Sequence, residues 1–206
     1  MRLNRRAFAL TLVATLATAP AAWASGPQVG KPAPGFSAVD TAGKPVTLSD
    51  YAGKTVVLEW TNHDCPFVRK HYGAHAMQAL QKTWTGRGVV WLTVISSAPG
   101  EQGAIDGAEA DRLTSERGAA PTAVLLDPAG TVGRAYDAKT TPHMFIVSGD
   151  GTLLYQGGID DKPSADVADL KTAKNYVDAA LTEIAAGKPV TVKTSRPYGC
   201  TVKYSS

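Results

Sequence analysis

The sequence is poor in cysteine: its 206 residues include only Cys65 and Cys200. Two thiols cannot provide a structural zinc site of the four-cysteine kind, and they can form at most one disulfide. The chain also lacks a glycine-rich phosphate loop and any nucleotide-binding fingerprint, so we expect no organic cofactor and no resident metal. Chemistry carried by the two cysteines is therefore the first possibility to consider.

The chain has almost no net charge outside its N-terminus. The formal charge is +3, and the first 24 residues contain three arginines, Arg2, Arg5 and Arg6, but no acidic residue. The rest of the chain is close to neutral, which gives no electrostatic support for binding nucleic acid or an anionic membrane.

One apolar run, near the N-terminus, has the length of the apolar part of a targeting sequence. Residues 7–19 follow the arginines and precede Ala22-Trp23-Ala24, a pattern typical of a cleaved signal peptide. The Arg5-Arg6 pair also fits a twin-arginine signal, and an N-terminal membrane anchor is the alternative. We expect a signal peptide at 1–24, one domain at 25–189 and a C-terminal tail at 190–206. The mature protein would be periplasmic or secreted, without stable membrane insertion.

The distribution of apolar residues predicts alternating strands and helices. Continuous apolar runs at 55–60, 88–95 and 122–127 indicate buried strands, as in a parallel sheet. A hairpin is expected at 36–48 and another at 143–156. Helices are expected at 66–84, 108–117, 131–136 and 173–186. This order predicts a single α/β domain with a central mixed sheet flanked by helices.

Cys65 lies where a buried strand passes through a short polar turn into a helix that begins with Pro66. The free N–H groups and the dipole at a helix N-terminus stabilise a thiolate, which is the reactive form of cysteine. The alternative is a buried, inert cysteine that behaves as a small hydrophobic residue.

Three separated segments resemble the thioredoxin-like superfamily, and within it the peroxiredoxin-like (redoxin) group. They are the strand leading to Cys65-Pro66-Phe67-Val68, the pair Thr141-Pro142, and the hairpin that ends at 155–158. The resemblance covers about residues 30–187 and implies a three-layer thioredoxin-like fold.

Two departures from the family pattern concern the site itself. Val68 stands at the second cysteine position of the C-x-x-C motif, so the usual vicinal disulfide cannot form. Asn62 stands three residues before Cys65, where peroxiredoxins have threonine, and Thr61 is displaced by one position. The peroxide-binding geometry of that group is therefore not implied.

The resemblance implies that Cys65 attacks either a peroxide or a protein disulfide. Cys200 or an external thiol would then resolve the oxidised Cys65, and an external thiol reductant would restore it. We place Cys200 in an unstructured, flexible tail, where a permanent structural disulfide is the alternative role.

Four further residues are candidates for the site. Thr141-Pro142 resembles the cis-proline loop that faces the reactive cysteine and pairs with an extended substrate. Glu59 lies within an apolar strand and could relay protons, although a carboxylate at a sheet edge or in a salt bridge is the simpler interpretation. Arg69, one helical turn after Cys65, could support the thiolate.

Two other classes of function remain open from the sequence. One is a non-enzymatic binding or scaffold protein with a structural disulfide. The other is a copper-handling protein that uses His63, His71 and His75, since ligands four residues apart can share a helix face. His71 and His75 are, however, expected on a solvated face, and His143 is as consistent with a structural role as with a place near Cys65.

Overall fold

A seven-stranded mixed sheet forms the centre of the molecule in the computed structural model, which describes residues 26–205. The predicted signal peptide lies outside the described residues. The strands are β1 Ser37–Asp40, β2 Pro45–Thr47, β3 Val56–Trp60, β4 Val90–Ile95, β5 Ala123–Leu126, β6 Thr140–Thr141, β7 His143–Val147, β8 Leu153–Gly157 and β9 Cys200–Thr201. The sheet order is β2-β1-β5-β4-β3-β7-β8, and the two other strands, β6 and β9, form a separate pair.

The apolar runs form the middle of the sheet, as predicted. β3 pairs in parallel with β4 and antiparallel with β7, and every residue of these three strands is buried. Burial on both faces requires apolar side chains at successive positions, which is why these strands lack polar alternation. This arrangement confirms the predicted α/β fold with a mixed sheet.

Helices cover both faces of the sheet and separate two apolar cores. One core joins β3, β4 and β7 to α1, α2 and α5, and includes Val57, Trp91 and Cys65. The opposite core lies under α4 and includes Leu58 and Tyr136. The helices are α1 Pro66–Gly73, α2 Ala76–Thr85, α3 Gly107–Glu116, α4 Thr131–Ala135 and α5 Tyr176–Ala185, with short 3-10 helices at Leu48–Tyr51 and Val167–Lys171.

The helix predicted at 66–84 is in fact two helices. α1 ends at Gly73, and His75 adopts the left-handed conformation with φ of 58° before α2 begins. A left-handed residue ends a helix and frees its last carbonyl groups. The buried side-chain amide of Gln78 donates to the carbonyl of Tyr72 at 2.9 Å and satisfies one of them. The prediction of one continuous helix was wrong at this turn.

Residues 190–205, which we call the C-terminal segment, pack along the domain. Val190, Tyr198 and Val202 are buried in its cores. β9 pairs antiparallel with β6, which places Thr201 opposite Thr140 and Cys200 opposite Thr141. The segment is thus not the flexible extension that was expected, and the fold holds Cys200 at a defined position.

Candidate active site

Cys65 is the N-cap residue of α1 and has no exposed surface. Its backbone N–H donates to the carbonyl of Asn62 at 3.1 Å, which closes the turn between β3 and the helix. The thiol Sγ donates to the carbonyl of Thr141 at 3.0 Å. Thr141-Pro142 is a cis peptide bond, as predicted. Strand, helix and cis-proline loop therefore meet at one sulfur atom.

Cys200 reaches the same place from the C-terminal segment. The pairing of β9 with β6 puts Cys200 opposite Thr141, whose carbonyl contacts Cys65. Cys200 is partly buried and packs against the core that contains Cys65, and both cysteines are free thiols in the structure. The structure thus brings the two cysteines together, although 135 positions separate them in the sequence.

The two thiols differ in acidity. Burial by itself raises the pKa of Cys65, but hydrogen bonds to the sulfur from Cys200, from Thr141 and from the Val68 N–H outweigh burial, so the pKa is lowered. Burial, the hydrogen bond to Cys65 and charge repulsion from Cys65 raise the pKa of Cys200 to about 11. Cys65 therefore loses its proton before Cys200 does, and the Cys200 thiol donates a hydrogen bond to the Cys65 thiolate. A lowered pKa suits Cys65 both as an attacking thiolate and as the sulfur that is displaced in thiol–disulfide exchange.

Close backbone approach keeps Cys200 beside the cis-proline loop. Gly199 has φ of +136°, and a Cβ at this position would lie 2.0 Å from the carbonyl oxygen of Thr141. Only glycine fits there without moving one of the two strands.

Glu59 is fully buried on the central strand β3, and its carboxyl group accepts hydrogen bonds from neutral side chains only. Tyr72 donates to it at 2.9 Å, Trp91 at 2.7 Å and Gln81 at 3.1 Å, with Thr93 at 3.4 Å. Burial raises the pKa of Glu59 against the lowering effect of these donors. The expectation of a sheet-edge or salt-bridged carboxylate was therefore wrong: Glu59 is satisfied by hydrogen bonds in the core.

Arg69 braces the loop before Cys65. Its guanidinium donates to the carboxylate of Asp64 at 2.8 Å and to the carbonyl of His63 at 3.1 Å. The Arg69 side chain is 62% exposed. The pKa of Cys65 is lowered chiefly by hydrogen bonds from other residues, namely Cys200, Thr141 and Val68. Asn62 also braces this loop, since its side chain binds the carbonyl of Gln102 and the N–H of Asp64.

The histidines do not form the helix-face pair considered for copper. His71 is buried in α1, whereas His75 is exposed in the turn after it. The expectation of a solvated face was thus wrong for His71. Within the described part of the chain, no group of three or more His, Cys, Asp or Glu residues could hold a metal ion. His143 accepts a hydrogen bond from the Lys139 N–H at 3.2 Å and packs on Phe145, which is a structural role.

No sequence pattern predicts the buried polar group beside the site, which we call the Asp160 cluster and which consists of Lys70, His71, Asp160 and Tyr198. The Tyr198 hydroxyl donates to the Asp160 carboxylate at 2.5 Å. Lys70 Nζ and His71 Nε2 each lie 3.8 Å from the other carboxylate oxygen. Lys70 and Asp160 are almost fully buried, and no periodic pattern signals such a position for either.

Comparisons with known proteins agree with this architecture. A sequence model described as the AhpC/TSA family matches residues 29–156, well over half of the chain. A solved structure of an uncharacterised conserved protein from Geobacillus kaustophilus has 25% identity and a TM-score of 0.72, over 86% of this chain and 93% of that one. A hypothetical protein from Sinorhizobium meliloti has 22% identity and a TM-score of 0.73, over 88% and 97%.

A third similar structure is a putative thiol:disulfide interchange protein DsbE from Chlorobium tepidum. It has 24% identity and a TM-score of 0.51, over 64% of this chain and 85% of that one, which supports the thioredoxin-like fold. No curated protein matches the chain. Between residues 26 and 205, no helix combines the length and apolar character needed to cross a membrane.

Proposed function

Since the chain belongs to the AhpC/TSA family, which supports a redox role in broad terms, we propose that it is a thiol–disulfide oxidoreductase with Cys65 as nucleophile. The observation that carries the proposal is the pair of unequal thiols. Cys65, with its lowered pKa, contacts Thr141, and Cys200, with its raised pKa, lies opposite the same residue.

The reaction begins with the Cys65 thiolate. It attacks one sulfur of a substrate disulfide, forms a mixed disulfide and releases the other sulfur as a thiolate. Cys200 then gives up its proton and attacks Cys65 Sγ. The mixed disulfide breaks, and the substrate leaves as a second thiolate. The substrate gains two electrons, and the protein is left with a Cys65–Cys200 disulfide that an external dithiol reductant must reduce.

A protein disulfide is the proposed substrate. β9 pairs with the Thr141 backbone beside Cys65 as an extended strand, so an extended substrate segment would bind next to β9 or take its place. A cleft of about 570 Å³, lined in part by Phe67, Thr140 and Gly199, adjoins this pairing and could receive the flanking residues. The predicted signal peptide supports a periplasmic or secreted location for this activity.

The remaining candidates take supporting roles in this proposal. Thr141 and Pro142 form the loop that receives the sulfur, and Arg69 holds the preceding loop through Asp64. Glu59 is bound by four side chains, none of which is a cysteine, so its proposed role is to fix α1 and α2 against the sheet.

Rapid mixing of the reduced protein with a disulfide or with hydrogen peroxide tests the proposal. Mass spectrometry then follows the state of each cysteine. We expect the disulfide to consume Cys65 faster than peroxide does and to yield the Cys65–Cys200 bond. The variant Cys200→Ser should stop at the mixed disulfide, and Cys65→Ser should not react.

Three outcomes would contradict this assignment. Faster oxidation by peroxide, through a sulfenic acid on Cys65, would identify a thiol peroxidase instead. A Cys65–Cys200 bond that resists an external dithiol in the folded protein would favour a scaffold protein with a structural disulfide. Cys65 that reacts with neither oxidant would exclude a redox role for this residue.

A further inference from the structure

The Asp160 cluster connects the two chain segments that carry the cysteines. Lys70 and His71 belong to α1, the helix that Cys65 begins, and Tyr198 precedes Cys200 by two residues. The Tyr198 hydroxyl donates to Asp160 at 2.5 Å and lies 3.3 Å from His71 Nε2. A single buried carboxylate thus links the helix of one cysteine to the strand of the other.

Apolar and cationic contacts strengthen the same link. The ring of Phe67 meets the ring of Tyr198 edge-on, with centroids 5.9 Å apart. The ammonium group of Lys70 lies 5.5 Å from the Tyr198 ring centroid and donates to the carbonyl of Lys162 at 2.8 Å. Tyr198 is therefore enclosed by α1 on one side and by the Asp160–Lys162 loop on the other.

Two further side-chain anchors of the C-terminal segment bind different elements. Ser195 shares hydrogen bonds with Tyr155 and the Gly158 N–H at the end of β8. The Tyr204 hydroxyl donates to the carbonyl of Ala138 at 2.8 Å. Neither anchor reaches α1, so neither fixes Cys200 relative to the helix that Cys65 begins.

We propose that Asp160 and Tyr198 are positioning residues that hold Cys200 against Cys65. This proposal rests on the proposed function. With the hydroxyl bound, the segment stays docked in the reduced protein, and Cys200 is ready to attack. Without the Tyr198 hydroxyl, the C-terminal segment of the reduced protein spends part of its time undocked. The segment must then dock again before the disulfide can form. The effective concentration of Cys200 at Cys65 is then multiplied by the fraction of time that the segment is docked.

The test is the Cys65–Cys200 equilibrium in Tyr198→Phe, measured by mass spectrometry against defined ratios of reduced and oxidised dithiothreitol. This change removes the hydroxyl and keeps the ring. We expect the effective concentration to fall about tenfold, which raises the reduction potential by about 30 mV. Tyr136→Phe is the matched control, since it also removes a buried hydroxyl hydrogen bond of 2.8 Å, to Pro34, away from both cysteines.

Thermal unfolding separates positioning from general support of the fold. If Tyr198 positions Cys200, the difference in Tm between oxidised and reduced protein should shrink in Tyr198→Phe and stay constant in Tyr136→Phe. Equal lowering of both Tm values with an unchanged potential would overturn the positioning role and leave the proposed function intact. Failure of the wild-type protein to form the Cys65–Cys200 disulfide would overturn both.

Discussion

Glu59 and Asp160 are two buried carboxylates that both meet α1, yet their surroundings differ. Glu59 is held by neutral donors from α1, α2 and β4, all within the domain. Asp160 faces the buried cation Lys70, the ring of His71 and a hydroxyl from the C-terminal segment. A carboxylate whose hydrogen bonds come from neighbouring elements of the domain stabilises the core. A carboxylate that binds a side chain of a distant segment also fixes the position of that segment.

The largest effect should come from Asp160→Asn. This change leaves the fully buried ammonium group of Lys70 without its counter-charge, and breaking a buried pair in this way costs about 3–5 kcal/mol. Urea unfolding of the reduced protein measures the loss. The double variant Asp160→Asn with Lys70→Met should cost less than the single one, since no unpaired charge remains. A double variant as unstable as the sum of its parts would show that the two groups are independent.

The Asp160 cluster should also make stability depend on pH. Burial, assisted by Lys70 and opposed by Asp160, lowers the pKa of His71 from 6.5 to about 4. A lowered pKa contributes stability that is complete above pH 6.5 and is lost as the pH falls towards 4, by at most about 3 kcal/mol. Unfolding free energies at pH 7 and pH 4.5 measure this loss.

Two histidine variants serve as references for this dependence. Burial also lowers the pKa of His143 to about 4, so His71→Gln should remove only part of the loss on acidification. The exposed His75, changed to Gln, should leave the wild-type dependence intact. An unchanged pH dependence in His71→Gln would mean that the pKa of this ring is the same in the folded and the unfolded protein.

Glu59→Gln should have a smaller effect, confined to stability. The new amide group can accept at only one of its two ends, so a donor such as Trp91 or Tyr72 meets another donor, at a cost of about 1–3 kcal/mol. The Cys65–Cys200 equilibrium should not change, in contrast to Tyr198→Phe. Chemical unfolding and dithiothreitol titration of one preparation measure both quantities, with the exposed Glu116→Gln as control. A shifted equilibrium would give Glu59 a direct role at the sulfur.

Arg69→Met should have the smallest effect. The ion pair between Arg69 and Asp64 is exposed, and such pairs contribute about 0–1 kcal/mol. The alkylation rate of Cys65 at neutral pH should also stay near the wild-type value, because the pKa of this thiol is lowered by other groups. A shift of the pH dependence of that rate to higher pH would instead support the sequence-based hypothesis that Arg69 stabilises the thiolate.

The central fold and the position of Cys65 at the start of α1 could be predicted because local features specify them. Continuous apolar runs specify β3 and β4, and the strand–turn–helix sequence around Cys65 specifies its place at a helix start. The cis form of Thr141-Pro142 followed from a resemblance to a known superfamily. Each of these predictions used residues close together in the chain or a pattern with fixed spacing.

The C-terminal contacts could not be predicted, because no local pattern encodes them. β6 and β9 have two residues each, too few for a periodic signal. Asp160 and Tyr198 are 38 positions apart, and their hydrogen bond depends on the path of the whole segment. The turn at 74–75 was missed although Gly73 precedes it, because an isolated glycine is tolerated inside a helical pattern and does not by itself mark a helix end.

The complete burial of Cys65 has a consequence for how its chemistry is measured. A reagent in solution meets the sulfur only during local opening, so its observed rate is the intrinsic thiolate rate multiplied by the open fraction. A thiol of low pKa can thus react slowly with reagents in solution, even where its thiolate is the favoured form. Alkylation kinetics of this protein therefore report a conformational equilibrium as much as the nucleophilicity of the sulfur.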